Sequence, residues 1–197
     1  MRARSYALET VWQYAAEEAV AVGSTHIEPE HLLIGACSIE KLFSAGLSSS
    51  KLTPYSLASI RAEWQELLAL LLDAKVTPST LRRELRKRIP AGSVRPGIPR
   101  TVSRSERSRA IFARADQIAA AAGSTLVGII YLLAALLEDG PIRDLLGPFC
   151  KDLPSLQEAL KDAARRPLQT KPMVAQKASI SGSTISSEKV LGSGAGN

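Results

Sequence analysis

Aromatic residues make up only 5% of this 197-residue chain, and cysteine occurs twice. The shortage of aromatic and β-branched runs argues against a core built on sheet. Ala and Leu dominate a composition that is 45% hydrophobic, and that balance favours helices. Cys37 and Cys150 have no paired spacing, so they supply no disulfide framework and suit a reducing compartment in which buried thiols stay free. No His/Asp pattern accompanies either thiol, so neither reads as a nucleophile. His26 and His31 lie five apart and Cys37 six beyond His31. Ligands so spaced do not converge on one face, and no metal or cofactor is expected.

Long apolar runs are also lacking. The longest, VGIIYLLAALL at 127–137, is about half of what a bilayer requires. The first residues, MRARSYALETVWQ, lack the apolar stretch of a secretory signal. A soluble, cytoplasmic protein with no membrane partner is the expectation. The glycines of GSGAGN at 192–197 are not followed by Gly-Lys-Ser/Thr, and the third glycine of a dinucleotide fingerprint would fall on Asn197. With no phosphate loop, acid/base pair or metal cluster, the chain does not read as an enzyme by itself.

Charge is present but uneven. Between Arg82 and Arg114 there are eleven Lys/Arg against two Glu, a local +9 in a chain of net +6, so the remainder is net −3. The stretch RRELRKR at 82–88 continues through Arg95, Arg100, Arg104, Arg107, Arg109 and Arg114. Phosphate contacts alone can drive nucleic-acid affinity, but no aromatic platform is interleaved and no recognition helix follows a tight turn. A solvated face around a junction is the plainer reading, with an acidic-partner docking surface second.

Apolar spacings of three and four mark a helix over 5–22, with Leu8, Val11, Trp12, Ala15, Ala19 and Val22 on one face, Ser5 as its cap and Gly23 as its stop. A second helix begins near Glu28, with Pro29 at its first position. Residues 41–53 are irregular. Helices follow over 54–74 and from Thr77-Pro78 to Ile89, then a connector over 90–102 that holds Pro90, Gly92, Pro96, Gly97 and Pro99. Beyond it lie predicted helices at 103–122, 127–137 and 141–146, and a last one opened by a capping box, Ser155 to Glu158. Residues 167–197, rich in Ser and Gly, read as a tail or linker.

The second half repeats the first at an offset of one hundred positions. Gly23/Gly123, Ser24/Ser124, Thr25/Thr125, Leu32/Leu132 and Leu33/Leu133 are identical, as are Ala15/Ala115, Ala19/Ala119 and Ala21/Ala121. Trp12/Phe112, Val11/Ile111 and Ile27/Val127 are like for like. The physical reading is one helical unit built twice, each copy burying its Leu-rich face against the other.

The stretch AAEEAVAVGSTHIEPEHLLIGA, 15–36, resembles the repeat at the N-terminus of Clp/Hsp100 AAA+ unfoldases, with EHLL at 30–33 its most specific element. The resemblance spans roughly 5–164. It implies an all-α, pseudo-twofold domain of about eight helices over 1–166, with repeat one at 5–89 and repeat two at 103–166. It also implies a protein-binding module that recruits substrates or adaptor proteins for an AAA+ ATPase ring, in cis or in trans. By the same resemblance Glu30 is a candidate acceptor for a substrate guanidinium, phosphorylated arginine in some relatives, with His31 beside it. Arg82, Arg86 and Arg104 of the basic junction complete the candidate partner-binding set. Glu30 also suits its own helix N-terminus. Three departures stand out: Ile130-Tyr131 replaces the family's Glu-His, Pro29 replaces a capping Thr, and the stretch 41–60 is long. The alternative function is a nucleic-acid-associated regulator working through Arg82–Arg114.

Overall fold

The computed structural model describes residues 2–44, 52–94 and 101–168. Eight helices of seven residues or more form the body. In the first half they are α1 (Tyr6–Ala21), α2 (Pro29–Ser38), α4 (Pro54–Asp73) and α5 (Pro78–Arg88), with a five-residue α3 (Glu40–Ser44) between. In the second half they are α6 (Glu106–Ala121), α7 (Ile129–Leu136), α8 (Gly140–Leu146) and α9 (Leu153–Ala164).

The hundred-residue offset is geometric as well as textual. The Ser5 hydroxyl oxygen accepts from the Leu8 N–H at 3.1 Å and caps α1, and that of Ser105 accepts from the Ser108 N–H at 3.2 Å and caps α6. The Gly23 and Gly123 φ angles are 75° and 69°, the left-handed turn that ends each helix. Ser24 N–H reaches Ala19 O at 2.8 Å and Ser124 N–H reaches Ala119 O at 2.9 Å. Each serine hydroxyl then donates two residues on, to His26 O and Leu126 O, both at 2.7 Å. The side chain of Gly123→Ala would meet nothing within 4 Å, so only the left-handed backbone opposes it. That substitution is expected to cost about 1 kcal/mol in a urea titration.

Short strands stitch the copies together. β1 (Ala3–Arg4) pairs in parallel with β4 (Leu126–Val127), and β2 (His26–Ile27) with β3 (Ser103–Arg104). The strand before the first helix of each copy therefore pairs with the strand before the second helix of the other. Ser5 N–H to Val127 O, 2.9 Å, and Ser105 N–H to Ile27 O, 3.1 Å, extend the two ladders alike.

Leu32, Leu33, Leu132 and Leu133 are all buried in one core, and Leu33 and Leu133 line the same small internal gap. Trp12 meets Phe112 edge to face with ring centroids 5.5 Å apart, so equivalent residues touch across the approximate dyad. Cys37 and Cys150 are free and buried. Burial pushes the Cys37 thiol up to about 12, which keeps it an unreactive apolar filler.

Several expectations are corrected. The last helix starts at Leu153 and is capped by Asp152, whose carboxylate accepts from the Ser155 N–H at 3.1 Å; Glu158 pairs with Lys161 at 2.7 Å instead of closing a capping box. The 127–137 helix begins at Ile129, because Leu126 and Val127 belong to a ladder. The tail beyond Leu168 and the connector over 95–100, with Arg95 and Arg100, lie outside the described residues.

Candidate functional site

Glu30 sits in the first turn of α2, and a guanidinium from the other repeat already reaches it. Arg107 of α6 donates through Nη1 to Glu30 Oε1 at 3.2 Å and through Nη2 to Asp139 Oδ1 at 3.0 Å. Asp139 in turn caps α8 by accepting from the Ile142 N–H at 3.1 Å. Glu30 is thus a guanidinium acceptor, satisfied within the chain.

His31 points inward and is only 1% exposed. Its Nδ1 accepts from the Glu28 N–H at 2.9 Å, so the ring closes the start of its own helix. Burial, set against the nearby carboxylates of Glu30, Glu28 and Glu18, holds its pKa below the ordinary range. This interior position removes His31 from any surface that a partner could touch.

Arg86 forks onto Glu18 of α1, Nε to Oε2 at 2.8 Å and Nη2 to Oε1, and so anchors α5 to α1. Arg82 is half-buried, and its Nη1 is buried without a partner among the described residues. Arg104 lies over both Trp12 and Phe112 at 5.0 Å, with Arg4 over Trp12 at 5.4 Å. The guanidiniums of Arg4 and Arg104 are themselves equivalent across the dyad and share one aromatic pair. No hydrogen bond or ion pair among the described residues joins Glu30, His31, Arg82, Arg86 and Arg104 to one another. The basic stretch is extensively matched by carboxylates: Arg107 by Glu30 and Asp139, Arg114 by Glu138, and Arg83 and Lys87 by Glu84.

A concavity lies elsewhere, between α4 of repeat one, α7 of repeat two and the segment 166–168. It encloses about 560 Å³ and is walled chiefly by Tyr55, Ile130, Tyr131 and Leu168, with Glu63 and Glu66 from α4. The Tyr131 hydroxyl holds one wall in place, donating to Arg166 O at 2.7 Å and accepting from the Leu168 N–H at 2.9 Å. Arg166 Nη2 donates to Glu66 Oε1 at 2.9 Å.

Glu63 is 4% exposed. Its Oε2 accepts from the Ser5 hydroxyl at 3.0 Å and the Ile129 N–H at 3.1 Å, and its Oε1 has no partner among the described residues. One carboxyl therefore supports the starts of α1 and α7 at once. Burial raises its pKa from 4.5 to about 7; the Ser5 and Ile129 hydrogen bonds pull it partly back, and Glu66 adds a small rise. The arrangement needs a glycine: a Cβ on residue 128 would lie 2.6 Å from Glu63 Oε2. Repeat one has its own Glu28 at the equivalent cap, whereas repeat two has Gly128 and takes a carboxylate from α4.

Sequence reasoning passed over Glu63 and Gly128. The available signal was a lone carboxylate on the apolar stripe of α4, four residues before Leu67 and three after Ile60, both fully buried.

The profile of the Clp repeat (R) N-terminal domain matches residues 64–149. Comparison with curated proteins returns no match. Among solved structures, the Hsp104 N-terminal domain from Candida albicans is similar at a TM-score of 0.59 and 14% identity, covering 85% of this chain and 97% of that one. A structure described as a preliminary investigation of a malarial protein secretion system is similar at 0.57 and 14% identity, covering 83% and 95%. At these identities the likeness concerns the fold, while the profile match concerns residues 64–149. Clp repeat N-terminal domains are modules of Clp/Hsp100 unfoldases; residues 64–149 match that profile, and the eight-helix body built around a repeated Gly-Ser-Thr joint has the Clp N-domain fold.

Proposed function

We propose that this domain is a docking module that takes hold of protein substrates or adaptors on behalf of a Clp-type AAA+ ring, attached or separate, and performs no chemistry of its own. The observation that carries the reading is the groove shared by α4 and α7. Its volume is that of a binding cleft, it straddles the two repeats, and it exposes aromatic surface, with Tyr55 40% accessible at its edge. Tyrosines at the rim of an apolar cleft supply contact area at low entropic cost. The affinity suited to such a module is modest, because a docked chain must be passed on.

Binding of a fluorescein-labelled unfolded polypeptide, followed by anisotropy, tests this. Tyr55→Ala, on an exposed position of α4, is expected to weaken binding by about fivefold to tenfold, about 1–1.4 kcal/mol. No binding by the native chain would defeat the docking reading.

Glu30 offers a second contact. A substrate guanidinium, phosphorylated or not, would have to displace Arg107, so Arg107→Ala is expected to raise affinity for an arginine-bearing peptide while changing stability by less than about 1 kcal/mol. The nucleic-acid reading draws less support, since carboxylates already match Arg83, Arg86, Lys87, Arg107 and Arg114. A steep dependence of duplex binding on salt concentration would revive it.

A further inference from the structure

We propose that Glu63 sets the specificity of this groove by accepting the ammonium group of a lysine side chain carried on an apolar segment of the docked protein. The proposal rests on the docking reading and deepens it. Four observations lead to it.

The first is the unequal state of the two carboxyl oxygens. Oε2 is engaged twice, by the Ser5 hydroxyl and the Ile129 N–H, and Oε1 by nothing among the described residues. A buried acceptor without a donor is costly, and native structures keep few of them without a use. The second is charge. The neighbouring Glu66 is taken by Arg166, and no cation among the described residues pairs with Glu63. The third is the broken symmetry. Repeat two has lost the acidic cap that repeat one holds at Glu28, and its Gly128 opens the space that the Glu63 carboxyl occupies.

The fourth is geometry, which selects lysine over arginine. A guanidinium fork engages both oxygens of a carboxylate in parallel, and here Oε2 is already doubly used. A single free oxygen suits a compact ammonium. The four-carbon stem of lysine then packs against Ile130, Tyr131 and Leu168, which wall the groove.

Isothermal titration of the full chain at pH 7 with three acetylated, amidated nonapeptides tests the assignment. The first is Ser-Gly-Ala-Leu-Lys-Leu-Ala-Gly-Ser; the others replace Lys by norleucine or by Arg, so the lysine side chain is the sole ammonium. The native chain should bind the lysine peptide about tenfold more tightly than either relative, and Glu63→Gln should bind all three alike. Equal binding of the three by the native chain, or a lysine preference that persists in Glu63→Gln, overturns the assignment and leaves the docking reading standing. Binding of none overturns both. Should Glu63→Gln fail to fold, the native chain still decides: at pH 6 the lysine peptide should move the Glu63 carboxyl carbon resonance to its ionised position, and the norleucine peptide should not. An unmoved resonance overturns the proposal.

Discussion

Raising the pH from 5 to 8 is expected to destabilise the native chain by about 3 kcal/mol more than it destabilises Glu63→Gln. The folded state holds the Glu63 proton with a pKa of about 7, against an ordinary value of 4.5. A carboxyl whose pKa rises on folding binds its proton more tightly in the native state. Its neutral form is therefore tolerated without loss below about pH 4.5. Stability falls as the pH climbs through the interval up to about 7, and the deficit is complete above it. At about 1.4 kcal/mol per pH unit, the gap amounts to about 3 kcal/mol. Glutamine keeps a carbonyl oxygen for the Ser5 hydroxyl and the Ile129 N–H and has nothing to titrate, so the other ionisable groups cancel in the comparison. Urea titrations followed by circular dichroism at pH 5, 6, 7 and 8 read the effect. Parallel profiles for the two proteins would show that the carboxyl is not desolvated as described.

Leu33→Ala and Leu133→Ala are each expected to cost about 2–5 kcal/mol, and the double variant less than the sum of the two. Both side chains are buried, at 2% and 3% exposure, and truncation removes transfer energy and leaves a cavity. Because both line one internal gap, the second truncation enlarges a space the first has already opened. Contacting positions of this kind couple by about 0.5–3 kcal/mol, whereas separate sites add. Strict additivity in a double-mutant cycle would mean that the two repeats bury their leucines apart, against the shared seam that the fold displays.

Much of this architecture can be read from local pattern. The faces of α1 and α6 follow from apolar spacings of three and four, and their ends from Ser5, Ser105, Gly23 and Gly123, because capping and left-handed turns are decided by residues a few positions apart. Glu30 was placed at a helix start for the same reason. Its partner was not foreseen: Arg107 comes from the other repeat, and charge pairing at such separation leaves no periodic trace. The parallel ladders β1–β4 and β2–β3 escaped notice because two-residue strands are too short to alternate, and their register is set by the dyad. Arg86 reads as a surface cation in the sequence; the packing of α5 against α2 brings it to Glu18 of α1.

The sites divide along the same line. Hydrophobic periodicity, the repeated Gly-Ser-Thr joint and the EHLL element were enough to specify a duplicated helical domain and its likeness to the Clp N-domain fold, since each depends on neighbours within one or two turns. Which carboxylate lies buried, which stays paired and where a groove opens depended on α4 of one repeat meeting α7 of the other. Glu63 is one acidic residue among several along the chain. It becomes a buried, half-satisfied acceptor only when Gly128 gives it room and the Ile129 amide and Ser5 hydroxyl converge on it, because desolvation is a property of what surrounds a group in space.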